Sequence, residues 1–155
     1  FEAINVKIDI EGRWVFVMGR LDGCEVTLGN IYVPIQGQLD FFRSISPMMW
    51  DFSSNYMILS GDFNSVLVVN LDGSTPPLMG APTHKIAKGL MEWMQNWQLE
   101  DVWRAQHCDI QEYSLYLYVH DVHVKLKRIL CTNTICSPFT DLEYLGHTYS
   151  DHNPL

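Results

Sequence analysis

The sequence predicts an α/β or α+β domain built from layered sheets, and two observations carry that prediction. The first is an antiparallel meander over residues 3–34, where alternating apolar and polar segments are joined by Gly-containing turns. The second is a strand-to-helix unit. A short apolar segment at 55–61 is followed, after a Gly- and Pro-rich loop, by an amphipathic stretch at 84–97. Strands outnumber helices, and hairpins mix with the strand-to-helix unit, which is the pattern of layered mixed architectures.

Residues 3–10, AINVKIDI, alternate in polarity, and Glu11-Gly12 turns the chain into RWVFVMGR at 13–20. Asp22-Gly23 is a strong hairpin signal leading into VTLGNIYVP at 26–34. Pro34 has no N–H to give to a ladder and ends that strand. Residues 38–50, QLDFFRSISPMMW, predict a helix whose second half is placed in question by Pro47. NYMILSG at 55–61 is a short strand of the buried kind, and LDGSTPPLMGAPT at 71–83 is a loop. HKIAKGLMEWMQNW at 84–97 places Ile86, Leu90, Trp93 and Trp97 on one helical stripe, a core face, with Thr83 as N-cap. LEDVWRAQH at 99–107 reads as a short helical segment. EYSLYLYV at 112–119 and VHVKLKRIL at 122–130 read as two strands joined by a tight turn near His120-Asp121. Residues 141–155 begin as a strand and break into Ser150-Asp151-His152. No internal repeat, low-complexity tract or linker interrupts the chain, so 1–155 is expected to be a single domain.

The 155 residues suffice for one core, and 47% hydrophobic with 18% charged content is that of a soluble globular chain. No apolar run approaches the roughly 20 residues that span a bilayer. No basic then apolar leader opens the chain, so secretion is not expected. Starting at Phe1 and stopping at Pro154-Leu155 just after polar residues, the chain is expected to be cut at both ends. Cys24, Cys108, Cys131 and Cys136 lack the spacing of a zinc site or a disulfide scaffold, which predicts reduced thiols. A net charge of −8 argues against purely electrostatic nucleic-acid binding but not against a nuclease that recruits divalent cations.

Three polar clusters punctuate strand ends: Asn30-Ile31-Tyr32, Asp62-Phe63-Asn64 and Ser150-Asp151-His152. In an extended backbone Asp62 and Asn64 face the same side, with Phe63 opposite. A carboxylate there can hold a hard cation or a catalytic water, and a neutral amide can orient a phosphate without added repulsion. Asp151 beside His152 supplies a carboxylate with an imidazole able to act as acid, base or phosphate donor. Each cluster also has a plain structural reading. Asp62 and Asn64 can close an Asx-type turn, Ser-Asp-His can cap a strand or helix, and Tyr32 can be a core aromatic with its hydroxyl at the rim. His84, Glu92, His107 and His147 read as solvated residues. Ser150 is not on the elbow that a hydrolase nucleophile needs.

NIYVP, ILSGDFN and YSDHNPL, in that order, resemble the endonuclease/exonuclease/phosphatase superfamily, the deoxyribonuclease I-like fold. GDFNSVL with LDGST, LEDVWRAQHCDIQEYSLY and KLKRILCTN are similar to the endonuclease domain of LINE-type (non-LTR) retrotransposons. This resemblance runs over essentially the whole chain. It implies a four-layer α/β sandwich, two mixed β-sheets packed face to face with outer helices, here a partial domain truncated at the N-terminus. It further implies a DNA-nicking phosphodiesterase using Mg²⁺ or Mn²⁺, DNA as partner, a reverse transcriptase in the same original polypeptide, and a nuclear or cytoplasmic location without membrane attachment.

Carried over by position, Asp62 resembles the carboxylate that orients the attacking water, and Asn64 its phosphate-positioning neighbour. Tyr32 resembles the tyrosine that contacts the scissile phosphate, and His152 the histidine that stabilises transition-state charge. Asp151 resembles the partner carboxylate and a weak metal ligand, Ser150 its small polar support, and Ser114 stands where the family usually has Thr. The family's metal-binding Glu and its first Asn match no residue here. Lys127 stands where the family's Asp braces the site; it either weakens cation binding or supplies the missing metal's charge itself. Present activity is therefore open between an impaired nicking endonuclease and a non-catalytic relic or interaction domain. A phosphomonoesterase of the same superfamily is the third reading.

Overall fold

The computed structural model describes residues 1–75, 81–117, 121–136 and 142–143. Along the chain run β1 (Glu2–Ile8), β2 (Trp14–Leu21), β3 (Cys24–Tyr32), α1 (Gln38–Asp51), β4 (Tyr56–Asp62) and α2 (Pro82–Asn96). They are followed by β5 (Leu99–Asp101), α3 (Val102–Gln106), β6 (Leu115–Leu117), β7 (Val122–Val124), β8 (Lys127–Thr132) and α4 (Asn133–Cys136). A six-stranded sheet has the order β1-β2-β3-β4-β8-β5, and β6-β7 form a separate two-stranded sheet. Only the β3–β4 pairing is parallel among these; the others are antiparallel.

The first hairpin forms as its sequence dictates. Asp22 and Gly23 both take positive φ, 50° and 82°, the twist of a two-residue turn that matches right-handed strands. From β3 the chain crosses over through α1 and returns parallel as β4, so the two strands end side by side. Helix α1 continues through Pro47 to Asp51. Pro47 is on the exposed side, where a freed carbonyl can meet water, while Phe41, Phe42, Ile45 and Met49 hold the opposite side in the core.

Helix α2 begins two residues earlier than expected. Ala81 is its N-cap and Pro82 its first residue, so Thr83 lies inside the helix and is not the cap. A proline at this position loses nothing, because the first N–H has no helical partner. Its buried residues are Ala87, Leu90, Trp93 and Met94. These meet α1 and one face of the sheet in a single core containing Phe16, Ile31, Val33, Leu59, Phe63 and Leu130. The other face of the sheet is more open, with Val6 51%, Ile8 67% and Leu28 37% exposed.

Two expectations are corrected. The segment 122–130 is not one strand but two, in different sheets. It breaks at Lys125-Leu126, where the Ser114 hydroxyl accepts the N–H groups of both Leu126 (2.8 Å) and Lys127 (3.0 Å), and the Lys125 N–H goes to the Asp72 carbonyl (2.7 Å). The thiols are not all reduced either. Cys24 and Cys108 are free, but Cys131 is disulfide-bonded. Spacing could not reveal this, because Cys131 is a fully buried residue within β8, just before the chain turns into α4. Among the described residues no helix is long and apolar enough to cross a membrane.

Candidate functional site

The parallel return of β4 beside β3 fixes the site. Tyr32 is the register partner of Asp62, and Asp62 is the partner of Lys127 across to β8. Residues directly opposite in adjacent strands point to the same face. A phenol, a carboxylate and an ammonium therefore stand in a row at one end of the large sheet. Tyr32 is 49% exposed, and Asp62 and Lys127 are half-buried, so the row is open to a ligand from one side. The neighbouring row holds Asn30 and Ser60, joined by a hydrogen bond from the Asn30 amide to the Ser60 hydroxyl (3.1 Å).

Gly61 explains why Asp62 can sit there. Its φ is +143°, and a Cβ at this position would fall 1.9 Å from the Ile31 carbonyl oxygen. The backbones of β3 and β4 can approach this closely only where no side chain intervenes. Phe63, fully buried, anchors the next residue, and its N–H donates to the Leu126 carbonyl (2.9 Å).

Asp62 and Asn64 form the turn that their spacing allowed. The Asn64 N–H donates to Asp62 Oδ1 (2.9 Å), with Asn64 at φ +43°. The Asn64 side-chain amide donates to the Val33 carbonyl (2.7 Å), which ties the turn to the end of β3. Asn64 thus lies beside the row, its amide engaged with backbone. Ser114, fully buried, holds the entry of β8 through the two N–H groups already given, including that of Lys127. Ser150, Asp151 and His152 lie outside the described residues.

Behind the row, on the core side of β8, is a charge cluster that sequence reasoning did not single out. Arg128 is fully buried and donates to Asp101 Oδ2 and Asp72 Oδ2, both at 2.7 Å. Arg104 donates to Asp72 Oδ1 (2.6 Å). Lys125 lies 3.7 Å from Asp101 and 3.9 Å from the centre of the Trp103 ring. Asp101 also caps α3 through the Arg104 N–H (3.0 Å), and Asp72 accepts the N–H groups of Leu67 (2.7 Å) and Val68 (2.9 Å). The cluster therefore clamps the segment that follows the Asp62–Asn64 turn onto β8. Its sequence signals were the Asp of LDGST and the alternation in KLKR, which puts Lys127 on one face and Arg128 on the other.

Burial pushes the Asp72 carboxyl up, but the Arg128 charge and the backbone N–H groups outweigh it, so the net shift is downward. Burial likewise disfavours the Arg128 charge, yet Asp101 and Asp72 raise it above its ordinary value. For Lys125 burial wins over the attraction of Asp101 and, helped by repulsion from Arg128, takes the ammonium down to about 8.

The sequence resemblance implies Mg²⁺ or Mn²⁺. The described residues do not fit such an ion. No group of three or more His, Cys, Asp or Glu among them is placed to hold a metal, whereas hard cations take six or more oxygen ligands. The cross-strand neighbour of Asp62 is itself a cation, and one Asp62 oxygen is occupied in the turn.

No protein-family profile matches the chain. Solved structures do match it. An AP endonuclease from Archaeoglobus fulgidus is similar at a TM-score of 0.76 and 17% identity, covering 98% of this chain and 69% of that one. The chain has the deoxyribonuclease I-like fold. A 3′ phosphatase from Neisseria, bound to a product DNA hairpin, matches at 0.76 and 16% identity, over 97% of this chain and 68% of its own. The endonuclease domain of a telomere-specific non-LTR retrotransposon matches at 0.67 and 14% identity, over 96% of this chain and 65% of its own. At these identities the likeness concerns the fold, and the chain spans about two thirds of each neighbour's length.

Proposed function

We propose that this chain is part of a DNA-phosphodiester-handling domain descended from a retrotransposon nicking endonuclease, with impaired hydrolysis. The observation that carries the reading is the register that sets Tyr32, Asp62 and Lys127 side by side at one sheet end. The fold is shared with proteins whose names record action on, or binding to, DNA. The retrotransposon lineage rests on the sequence segments around LEDVWRAQH and KLKRIL, since an AP endonuclease and a 3′ phosphatase match the fold as well. In this reading residues 1–155 are a partial domain of a four-layer sandwich, whose open sheet face receives the second sheet. A reverse transcriptase belonged to the same polypeptide, and the protein works in the nucleus or cytoplasm.

Within the row, the Tyr32 hydroxyl donates to a phosphate oxygen, and Asp62, held by its turn, orients a water. Asn64 keeps the Asp62 turn docked on β3. From the resemblance alone, Asp151 would be the partner carboxylate, His152 the charge-stabilising imidazole and Ser150 their small polar support. Mg²⁺ or Mn²⁺ would supply charge neutralisation and an activated water in the family, but the described residues do not fit such an ion.

Supercoiled plasmid incubated with the protein and Mg²⁺ or Mn²⁺ tests the reading. Nicking should be absent or very slow, because losing one electrostatic stabiliser costs about 10²–10³-fold. Lys127→Asp should raise any residual nicking, and adding Asp62→Ala should remove it. Efficient nicking by the unmodified chain that Asp62→Ala abolishes would disprove the impairment. Release of phosphate from a 3′-phosphorylated oligonucleotide, without nicking, would favour the phosphomonoesterase reading.

A further inference from the structure

We infer that the groove between α1 and α2 docks a short acidic peptide that carries apolar side chains. The groove lies on the core side of the large sheet, away from the Tyr32–Asp62–Lys127 row, and the inference is independent of the phosphodiester chemistry proposed above. The two helices touch where Leu39 lies across Gly89; a Cβ on that glycine would collide with Leu39 Cδ2. Beside this crossing they leave an open groove of about 430 Å³, with Phe42 and Trp93 among its floor residues and Arg43, Lys85 and Lys88 on its rims. A second part of about 320 Å³, also lined by Leu39, Arg43, Lys85 and Ile86, continues it toward Gly37 and Pro82, where both helices begin.

The rim charge runs against that of the whole molecule, which is −8. Of the ten Lys and Arg residues, Arg104, Lys125 and Arg128 belong to the buried cluster and Lys127 to the row. Arg43, Lys85 and Lys88 are half of the remaining six, gathered on one groove. Their carboxylate partners do not bridge it: Arg43 pairs with Asp40 (2.9 Å) on its own helix, and Lys88 with Glu92 (3.8 Å) on its own. Lys85, exposed, forms no ion pair with a described residue. Neither helix start has a side-chain cap, so the two macrodipoles add positive potential at that end. An anion is therefore the complementary occupant. The floor decides its class. Phe42 and Trp93 stack with centroids 5.2 Å apart, and the Trp93 indole N–H is already given to the Ser46 hydroxyl (3.2 Å). A phosphodiester backbone would leave this apolar floor uncovered, whereas a peptide alternating carboxylates with Leu or Phe fills the floor and meets the rims together.

Fluorescence anisotropy at low ionic strength tests the inference with a labelled peptide alternating Asp with Leu and Phe. Its Asn-for-Asp counterpart and a labelled oligothymidylate serve as comparators. The acidic peptide should bind at least about tenfold more tightly than either. Lys85→Glu should weaken it about fivefold, and Lys85→Glu with Arg43→Glu more than about tenfold, since each reversal turns an attraction into a repulsion. Arg20→Glu, the same charge change on an exposed residue of β2, should alter affinity by under about twofold. In the unmodified protein the Trp93 indole N–H signal should shift on titration with the acidic peptide. Equal weakening by Arg20→Glu and Lys85→Glu, equal affinity for the Asn peptide, or an unmoved Trp93 signal would overturn the inference. Tighter binding of oligothymidylate with the same sensitivity to Lys85→Glu would overturn it in favour of a nucleic acid. A dimer that Lys85→Glu dissociates in sedimentation would overturn it in favour of a second copy of this chain.

Discussion

Replacing Arg128 by Met removes the centre of the buried charge cluster while keeping an unbranched chain of comparable width. The guanidinium donates to Asp101 and Asp72 at 2.7 Å each, and to the carbonyls of Ser65 and Lys125 at 3.2 Å each. Breaking a buried pair by removing one partner costs about 3–5 kcal/mol, because the other charge stays buried. The lower half of that range applies. Asp72 keeps Arg104 at 2.6 Å and two backbone N–H groups, and Asp101 keeps Lys125 at 3.7 Å. A loss of about 3–4 kcal/mol is expected from urea unfolding near neutral pH, a large share of an ordinary domain's 5–15 kcal/mol. The loss has a pH dependence whose sign follows from Asp72. Its folded carboxyl lies below the model-compound value of 3.8: burial raises it, and the Arg128 charge with the Val68 and Leu67 N–H groups more than offsets that. The stability it contributes is present above that unfolded value and is lost as pH falls through the folded one. Without Arg128, burial is less opposed and Asp72 takes up its proton at higher pH. The stability gap between the two proteins should then narrow on acidification below about pH 4. A loss under about 1 kcal/mol at neutral pH, or a gap that does not narrow in acid, would refute the view that Arg128 holds the cluster together.

Gly61→Ala should destabilise by at least about 3 kcal/mol, combining a φ of +143° with a Cβ 1.9 Å from the Ile31 oxygen. Urea unfolding measures the loss, and faster amide exchange at Phe63 would show that the Asp62 turn has lifted from β8. Lys125 has a folded value of about 8 against 10.5 in the unfolded chain, so the folded state releases its proton first, and stability should rise by up to about 3 kcal/mol between those values. Lys125→Met should flatten that alkaline rise; an unchanged profile would assign it to another group.

How much of this could be read from the sequence depended on whether local chemistry or tertiary pairing decides the feature. The meander was legible because Asp22-Gly23 fixes a turn by itself, and β4 because its apolar run ends at a glycine that the pairing requires. Thr83 was misread as a cap because Pro82, pre-set in φ and lacking an N–H, starts the helix two residues sooner. The break between β7 and β8 had no local signal, since VHVKLK alternates evenly across it. It is made by Ser114 and Asp72, which lie far away in the chain and intercept the N–H groups of Leu126, Lys127 and Lys125.

That break is also what gives the site its sign of charge. A strand alternates its side chains, so in KLKR two successive cations must part company, one to each face. Arg128 goes to the core because Asp72 and Asp101 wait there, already oriented by the N–H groups of Leu67, Val68 and Arg104. Lys127 is thereby forced to the Asp62 face. A one-residue slip would bury Lys127 against those carboxylates and turn Arg128 outwards, but it would also misplace Leu130, which is fully buried, and Ile129. The apolar demands of β8 and the buried carboxylates thus select the same register. The ammonium beside Asp62 is consequently a fixed feature of the fold, and any ligand of the row must accommodate a carboxylate and a cation together.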